Sequence, residues 1–244
     1  MNSKVSIIIP TYNRAEFLLD ALESVRQQSK KPFEIIVVDD GSTDHTRKVL
    51  FESTFKVNYI YQKNCGPAAA RNKGVAVATG DVIAFLDDDD LLLPHALELC
   101  VGHLERKAAF GVDVVFGIVR RVENIKKVKG KLTYKRVLET WSDRILCCGV
   151  FRKKVFDRVG LFDQTLFFQE DDDWFLRARE KDTRFSLLLG QVTHLHRMHK
   201  SNITKNRPAA NLFLLKAIKK SLARREKVGA GVALPIAQLS DFLY

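Results

Sequence analysis

Four consecutive acids follow an apolar run, and they are the residues of this chain with the clearest capacity for chemistry. The run covers residues 80–86, and the acids are Asp87, Asp88, Asp89 and Asp90. Because ionised carboxylates at the end of a buried strand repel one another, they must be solvated, paired or bound to a cation. Mg2+ and Mn2+ prefer carboxylate oxygens and share their coordination with water and substrate phosphates. The run therefore indicates a divalent-metal site for a phosphate-bearing substrate, with a solvated loop or a helix start as the alternative.

Polar clusters also follow two earlier predicted strands. The predicted strands cover residues 5–9, 33–38, 57–61 and 80–86, with helical patterns at residues 17–25 and 68–78. Pro10 and Thr11 follow the first strand, and Asp39 and Asp40 follow the second. This alternation predicts an α/β fold with a mostly parallel central sheet flanked by helices. Since ligands of such sheets bind beyond the carboxyl ends of the strands, the three clusters should converge on one edge.

Five regions in this order and at these separations resemble the family 2 glycosyltransferases of GT-A fold. They read VSIIIPTYNR (5–14), IIVVDDGSTD (35–44), CGPAAARNKG (65–74), GDVIAFLDDDD (80–90), and VGLFD (159–163) with EDDDWFLR (170–177). The resemblance spans roughly residues 3–205. It implies one GT-A type domain at 1–205, with a nucleotide-sugar-binding half at 1–106 and an acceptor-side half at 107–205, followed by a basic amphipathic helical segment at 206–244.

The resemblance implies donor-binding roles at the first two strand ends and on the helix after the third strand. Asp40 would hydrogen-bond the nucleobase, and a carboxylate accepts well from the imide N–H of uracil or thymine. Pro10 and Thr11 would line the base pocket. Arg71 would meet the base edge or the diphosphate. The alternatives are turn and N-cap roles for the acids after the second strand and an ordinary solvated charge for Arg71.

Within the acid run, the resemblance implies that Asp89 is the metal ligand and that Asp87 or Asp88 faces the ribose. Asp90 makes this register ambiguous, because the chain has one acid more than the family pattern requires. The implied cofactor is Mn2+ or Mg2+, which would neutralise the leaving nucleoside diphosphate. His199, in the segment 193–199, would reach the diphosphate or the metal.

Transfer of a sugar with inversion needs one general base, which takes the proton of the acceptor hydroxyl. The resemblance implies Asp171 for this role, and Glu170, Asp172 and Asp173 remain alternatives. All four could instead be acids that stabilise a helix N-terminus. The implied partners are a UDP-linked nucleotide-sugar donor and a glycan or glycolipid acceptor in cell-surface polysaccharide assembly.

The cysteine and histidine patterns predict a reduced protein without a zinc site. The four cysteines, none in a CxxC pair, are Cys65, Cys100, Cys147 and Cys148. This usage favours the cytoplasm. Three histidines lie within residues 194–199, but they have neither HExxH spacing nor a cysteine among them, which disfavours zinc. The apolar start of the chain is too short for a signal peptide or anchor, and no segment has the length to cross a bilayer.

Positive charge is concentrated near the C-terminus. Residues 197–227 carry ten Lys or Arg and one acid, a net +9 of the +11 of the whole chain. The apolar residues Leu212, Leu215, Ile218 and Leu222 repeat there at helical spacing. This basic amphipathic helix could lie on the inner face of the cell membrane, or its apolar face could dock on the domain. In a second basic region, at residues 107–135, a strand is expected at residues 112–119. The run of six cations from Arg120 to Lys131 that follows is expected to be a loop, either a lid over the acceptor or a solvated segment.

Two other classes of function are less consistent with the sequence. A nucleotidyltransferase would carry a Gly-rich basic loop after the first strand, where this chain has PTYNRAEF. A nucleic-acid-binding module would suit the sequence pI of about 9.5, but no binding motif is present and the acidic edge would repel a phosphate backbone. No nucleic-acid partner is therefore expected.

Overall fold

The N-terminal half alternates strands and helices as the sequence predicts. The computed structural model describes residues 3–123, 125–128, 131–134, 136–141, 145–200, 202 and 207–227. The elements up to residue 106 are β1 (Val5–Thr11), α1 (Ala15–Arg26), β2 (Glu34–Asp39), α2 (Thr46–Glu52), β3 (Asn58–Tyr61), α3 (Pro67–Val77), β4 (Val82–Phe85), β5 (Leu91–Leu92) and α4 (Ala96–Arg106).

In the described part of the second half there are two long strands, four short strands and three helices. They are β6 (Val114–Glu123), β7 (Lys126–Val128), β8 (Lys131–Thr133), β9 (Arg136–Trp141), β10 (Gly149–Arg152), α5 (Lys154–Val159), α6 (Glu170–Glu180), β11 (Phe185–Met198) and α7 (Arg207–Lys227). Short 3-10 turns lie at Ala108–Phe110 and Leu146–Cys148.

One mixed sheet of nine strands carries the site. Its strand order is β3-β2-β1-β4-β10-β6-β11-β5, and β9 pairs with β6. The first four of these strands are parallel, whereas β10 runs antiparallel to both β4 and β6. Parallelism is thus confined to the N-terminal half and to the pairing of β6 with β11. The carboxyl ends of β1, β2 and β4 consequently meet at one edge, where the sequence places its polar clusters.

Apolar layers cover both faces of this sheet. Ile8 of β1 packs with Phe116 and Trp174 on the face of α3 and α6, whereas Ile7 and Ile9 pack on the face of α1 and α4. Successive strand residues point to opposite faces, so burial of both faces explains the continuous β-branched runs. Gly74 of α3 lies directly against the Ile8 side chain, where no Cβ would fit. This close approach sets the position of α3 and of the Arg71 that it carries.

The predicted strand at residues 112–119 is present as part of β6, but the run from Arg120 to Lys131 is also largely ordered into strands, so the expectation of a loop is wrong for its described residues. Arg120 and Arg121 lie within β6, which continues to Glu123. The backbone then forms the antiparallel pair β7 and β8, with Lys126 opposite Thr133. Lys129, which belongs to the same basic run, lies outside the described residues.

The predicted C-terminal helix is present as α7, and it docks on α6 with a face different from its leucine face. Ala217 is buried against Leu166 and Leu176, and Phe213 packs beside them. Arg224 forms ion pairs with Glu180 at 2.8 Å and with Asp173 at 3.2 Å. Residues 228–244 of the predicted segment lie outside the described residues. None of the described helices combines the length and the apolar character that crossing a bilayer requires.

Candidate active site

The ends of β1, β2 and β4 bring the first predicted residues together. Thr11 pairs with Asp39 in register, and its carbonyl accepts a hydrogen bond from the Asp40 N–H at 2.9 Å. The Thr11 hydroxyl donates to Asp88 Oδ2 at 2.7 Å, which joins the end of β1 to the acid run after β4. Pro10 is half-buried beside them in β1. The convergence that the sequence predicts is therefore observed for these residues.

The Asp40 carboxylate is buried and organises the loop that precedes α3. Its Oδ1 accepts from the Gln62 side chain at 2.8 Å and from the Cys65 N–H at 2.9 Å. Its Oδ2 accepts from the Gly66 N–H at 2.8 Å. Asp39 instead holds the β2–α2 turn, where it accepts from the Ser42 N–H at 2.7 Å. Both acids thus shape the rim, and the contact of Asp40 with a nucleobase stays a prediction.

Asp89 contacts two side chains from distant parts of the chain, Arg14 and His199. His199 Nε2 is 2.9 Å from Asp89 Oδ2, so the predicted metal ligand and the predicted phosphate contact are neighbours. The Arg14 guanidinium also contacts Asp89, and its Nε lies 3.9 Å from Asp88 Oδ1. Sequence reasoning missed Arg14. Its position directly after the first strand, at the edge where the acids lie, was the available signal.

The loop that carries Arg14 is tied to the neighbouring loop. Asn13 adopts a left-handed backbone conformation with φ 54°. Its side-chain oxygen accepts from the Thr43 N–H at 2.7 Å and from the Asp44 N–H at 3.1 Å. Asn tolerates this conformation better than most residues, because its short polar side chain can make such local hydrogen bonds. The strained turn holds the β1–α1 loop against the β2–α2 loop and so aims Arg14 at the acid run.

Crowding of buried negative charge suits the acid run to a hard cation. Burial, reinforced by the charge of Asp89, raises the pKa of Asp88 to about 8, although Arg14 and the Thr11 hydroxyl oppose the shift. Burial and the charges of Asp90 and Asp87 likewise raise the pKa of Asp89. A divalent ion would relieve this repulsion and would keep the carboxylates ionised. The oxygens of Asp89 and Asp88, with the His199 imidazole beside them, therefore fit Mn2+ or Mg2+.

Protein donors surround Asp90, the fourth acid of the run. It is fully buried, and its Oδ2 lies 3.0 Å from His194 Nε2 and 3.1 Å from His196 Nδ1. Its Oδ1 accepts from the Arg197 N–H at 2.9 Å. Burial opposes the ionisation of Asp90, but the charge and hydrogen bonds of the histidines outweigh it and hold its pKa far below the ordinary range. Asp90 thereby fastens β11 to the acid run.

Cys147 adjoins this cluster, a neighbour that the sequence does not predict. Its thiol lies 3.7 Å from Asp90 Oδ2, and burial raises the pKa of that thiol well above its usual value. Ligand atoms of Asp90, Cys147 and His194 all lie within 4.8 Å of one another. A cysteine therefore does lie beside the histidines in the folded structure, although none is near them in the sequence. The Asp90 oxygens are nevertheless already engaged by protein donors.

Arg71 bridges the acid run and α6. It is buried, its Nη2 donates to Asp87 Oδ1 at 2.8 Å, and its Nη1 contacts Glu170. The charges of Asp87 and Glu170 outweigh the burial that would lower the pKa of Arg71, and the pKa is raised. Direct contact of Arg71 with a donor stays a prediction, because the observed arrangement already uses both ends of its guanidinium.

The four acids at the start of α6 have different partners. Glu170 pairs with Arg71, and Asp173 pairs with Arg177 at 2.8 Å. Asp171 accepts from the Asp172 N–H at 3.0 Å, and no described cation lies within ion-pair distance of it. Burial raises the pKa of Asp171, although the Arg71 charge opposes the shift. The helix begins after Gln169, whose left-handed φ of 60° is a strain of the kind that clusters at functional sites. Burial raises the pKa of Glu170 as well, but Glu170 is engaged by Arg71, whereas the Asp171 carboxylate has no described ion pair.

Comparison with known proteins relates the chain to sugar-transferring enzymes. The sequence model of glycosyl transferase family 2 matches residues 6–160. A Campylobacter jejuni GalNAc(5)-diNAcBac-PP-undecaprenol beta-1,3-glucosyltransferase is 38% identical over 192 residues, which cover 73% of this chain and 60% of that protein. The glycosyltransferase YwdF of Bacillus subtilis is 33% identical over 194 residues, 74% of this chain and 69% of that protein.

Other relatives are much longer than this chain. A Rickettsia conorii glycosyltransferase, RC0461, is 34% identical over 173 residues, but these cover 68% of this chain and only 28% of that protein. Among solved structures, Staphylococcus aureus TarS (residues 1–349) in complex with UDP-GlcNAc superposes with a TM-score of 0.63 at 24% identity, over 83% of this chain and 61% of that one. This likeness confirms the predicted α/β fold of GT-A type.

Proposed function

Because the chain belongs to glycosyl transferase family 2, we propose that it transfers a sugar from a nucleoside diphosphate sugar to a hydroxyl group of an acceptor, with inversion at the anomeric carbon. One observation carries the proposal. Arg71 forms ion pairs with Asp87, one of the crowded carboxylates after β4, and with Glu170 at the start of α6, next to Asp171. Cation binding and proton abstraction thereby have separate residues at one edge of the sheet.

Residues 1–106 bind the donor in this proposal, and residues 107–205 bind the acceptor. Pro10, Thr11 and Asp40 line the base pocket, with Asp87 or Asp88 toward the ribose. The donor is UDP-linked. The crystallisation of TarS with UDP-GlcNAc supports this choice, as does the suitability of the Asp40 carboxylate for an imide N–H.

Asp89 holds Mn2+ or Mg2+ in this proposal, and His199 stands beside it. When bound, the cation would supply positive charge to the leaving diphosphate. Arg14 adds a fixed positive charge at the same place, since its guanidinium contacts Asp89. Both His199 and Arg14 are therefore placed to bind diphosphate oxygens.

Asp171 is the general base. Its carboxylate takes the proton of the acceptor hydroxyl as that oxygen bonds to the anomeric carbon. The bond between the anomeric carbon and the diphosphate oxygen breaks, and its electron pair leaves with the nucleoside diphosphate. The raised pKa of Asp171 favours this role, because a base is most effective when its pKa approaches the working pH.

The acceptor is a glycan or glycolipid, and the setting is cell-surface polysaccharide assembly on the cytoplasmic side of the membrane. The C. jejuni relative, whose name specifies an undecaprenol-linked substrate, supports a lipid-linked acceptor. All four cysteines are free thiols, which supports a reducing compartment.

A panel of nucleotide sugars tests the proposal. With Mn2+ present, one UDP-sugar at 100 times its dissociation constant should stabilise the protein by about 2.7 kcal/mol in a thermal shift assay. UDP release should follow when an acceptor is added. Asp89→Asn should lose both responses, and Glu52→Gln, at an exposed acid on α2, serves as the matched control. Pyrophosphate release from a nucleoside triphosphate, without UDP-sugar binding, would instead identify a nucleotidyltransferase and refute the proposal.

A further inference from the structure

The docked orientation of α7 leaves an apolar stripe on its outer surface. The stripe consists of Leu212, Leu215, Ile218 and Leu222, all exposed, with Leu215 at 64%. Their spacing of three and four residues places them on one side of the helix. At 1.5 Å per residue the stripe is about 15 Å long. Contiguous exposed apolar residues of this kind mark an interaction surface.

The cations of α7 divide between its two sides. On the docked side, Lys220 pairs with Asp163, and Arg224 pairs with acids of α6. Lys219 is exposed beside the stripe, together with Glu226, the single acid of the helix. Lys216 and Lys227 are exposed along the edge between the two sides, where the Lys216 ammonium lies 4.5 Å from the centroid of the Phe213 ring. The docked cations are therefore neutralised by acids of the domain, whereas these three exposed lysines place positive charge along one edge of the stripe. This combination is complementary to an anionic lipid surface.

The helix is held firmly in this orientation. Phe213 packs edge-on against Phe168 with ring centroids 5.6 Å apart, and Ser221 donates to Glu180. These contacts fix α7 against α6 and against the segment that precedes it. Since α6 begins with the acids at 170–173, a surface that binds the stripe would lie alongside the acceptor half of the domain.

We propose that the outer face of α7 is a membrane-binding surface for an anionic phospholipid leaflet, with the stripe inserted among the lipid headgroups and the lysines against their charges. Membrane contact on this side would present a lipid-linked acceptor to Asp171. The delivery of a lipid-linked acceptor to Asp171 rests on the proposed function, whereas the binding of lipid does not.

Vesicle sedimentation tests the proposal directly. The protein should sediment with vesicles of phosphatidylcholine mixed with phosphatidylglycerol and should remain in solution with phosphatidylcholine alone. Leu215→Glu combined with Leu222→Glu should weaken binding at least tenfold. Lys219→Gln should weaken it about fivefold, which corresponds to about 1 kcal/mol for one lysine. Leu189→Glu is the matched control, because Leu189 is 69% exposed on β11 and lies outside α7.

Three outcomes would overturn the proposal. They are equal binding to neutral vesicles, undiminished binding of the double glutamate variant, and a dimer in sedimentation equilibrium that the double variant dissociates. Thermal unfolding of each variant without ligand checks that it is folded, and the added shift with UDP and Mn2+ separates the two proposals. If no nucleotide sugar binds but sedimentation still depends on the stripe, the proposed function fails and the membrane surface stands.

Discussion

Replacement of Asp171 by Asn distinguishes a catalytic base from an acid that only stabilises the start of a helix. The carboxylate accepts one backbone hydrogen bond, from Asp172, and has no described cation within ion-pair distance. An acid in the first turn of a helix contributes about 0.3–1 kcal/mol through the helix dipole. Removal of this half-buried charge also relieves repulsion with Asp87, which helps to raise the pKa of Asp171. We therefore expect a change of less than about 1 kcal/mol in the free energy of unfolding.

The expected effect on catalysis is much larger. Loss of a general base typically lowers the rate by about 10²–10⁴. At 1.36 kcal/mol per factor of ten, this corresponds to about 2.7–5.4 kcal/mol of activation free energy. The dissociation constant of UDP should stay nearly unchanged, because the proposed base acts on the acceptor and not on the diphosphate.

Three measurements on purified variants check this prediction. They are the transfer rate at saturating donor and acceptor, the UDP affinity by calorimetry, and the stability by urea unfolding. Asp172→Asn is the matched neighbour and should retain transfer. Asp173→Asn should lose stability instead, because it breaks the contacts of a buried carboxylate with Arg177 and Arg224. Near-normal turnover of Asp171→Asn would refute the assignment, and activity in all three variants would refute the proposed mechanism.

Four further outcomes follow from the site. Asp89→Asn should abolish the Mn2+-dependent part of UDP binding in calorimetry, and unchanged affinity would show that the ligand is another acid. Asp40→Ala should weaken UDP binding even without metal, and a crystal soak with the base beyond hydrogen-bond distance would count against it. Asp90→Asn should lower the free energy of unfolding in urea by about 3–5 kcal/mol, since it leaves buried histidines without their acid; a loss below about 1 kcal/mol would contradict its structural role. The charge of Asp90 outweighs burial and raises the pKa of His196 above its ordinary 6.5. The stabilisation that protonated His196 gives the fold should therefore be complete below pH 6.5 and should decline as the pH rises through the folded-state pKa. Urea unfolding of wild type and His196→Gln between pH 6 and 9, roughly the range where a shifted histidine titrates, should show this decline only in wild type.

Much of the fold was predictable because its signals are local. The β-branched runs at β1, β2 and β4 and the helical pattern between them follow from side-chain periodicity, which a short segment determines by itself. The placement of Thr11, Asp40 and the acid run at one edge follows from the parallel order of those strands. The basic run from Arg120 to Lys131 was mistaken for a loop, because its cations conceal strands. The end of β6 pairs with β9, and β7 pairs with β8, which lies close to it in the sequence.

Tertiary contacts determined the different surroundings of the acids in the site. Asp89 and Asp90 are adjacent in sequence, yet Asp89 faces Arg14 and His199, whereas Asp90 is buried against His194 and His196. The leucine face of α7 is exposed for a similar reason, because ion pairs with α6 hold the opposite side of the helix against the domain. The sequence by itself determined which residues could do chemistry and at which strand ends they lie. Only the tertiary structure decided which carboxylate remains available and which is neutralised, because ionisation and hydrogen bonding depend on partners that lie as far as 75–110 residues away along the chain.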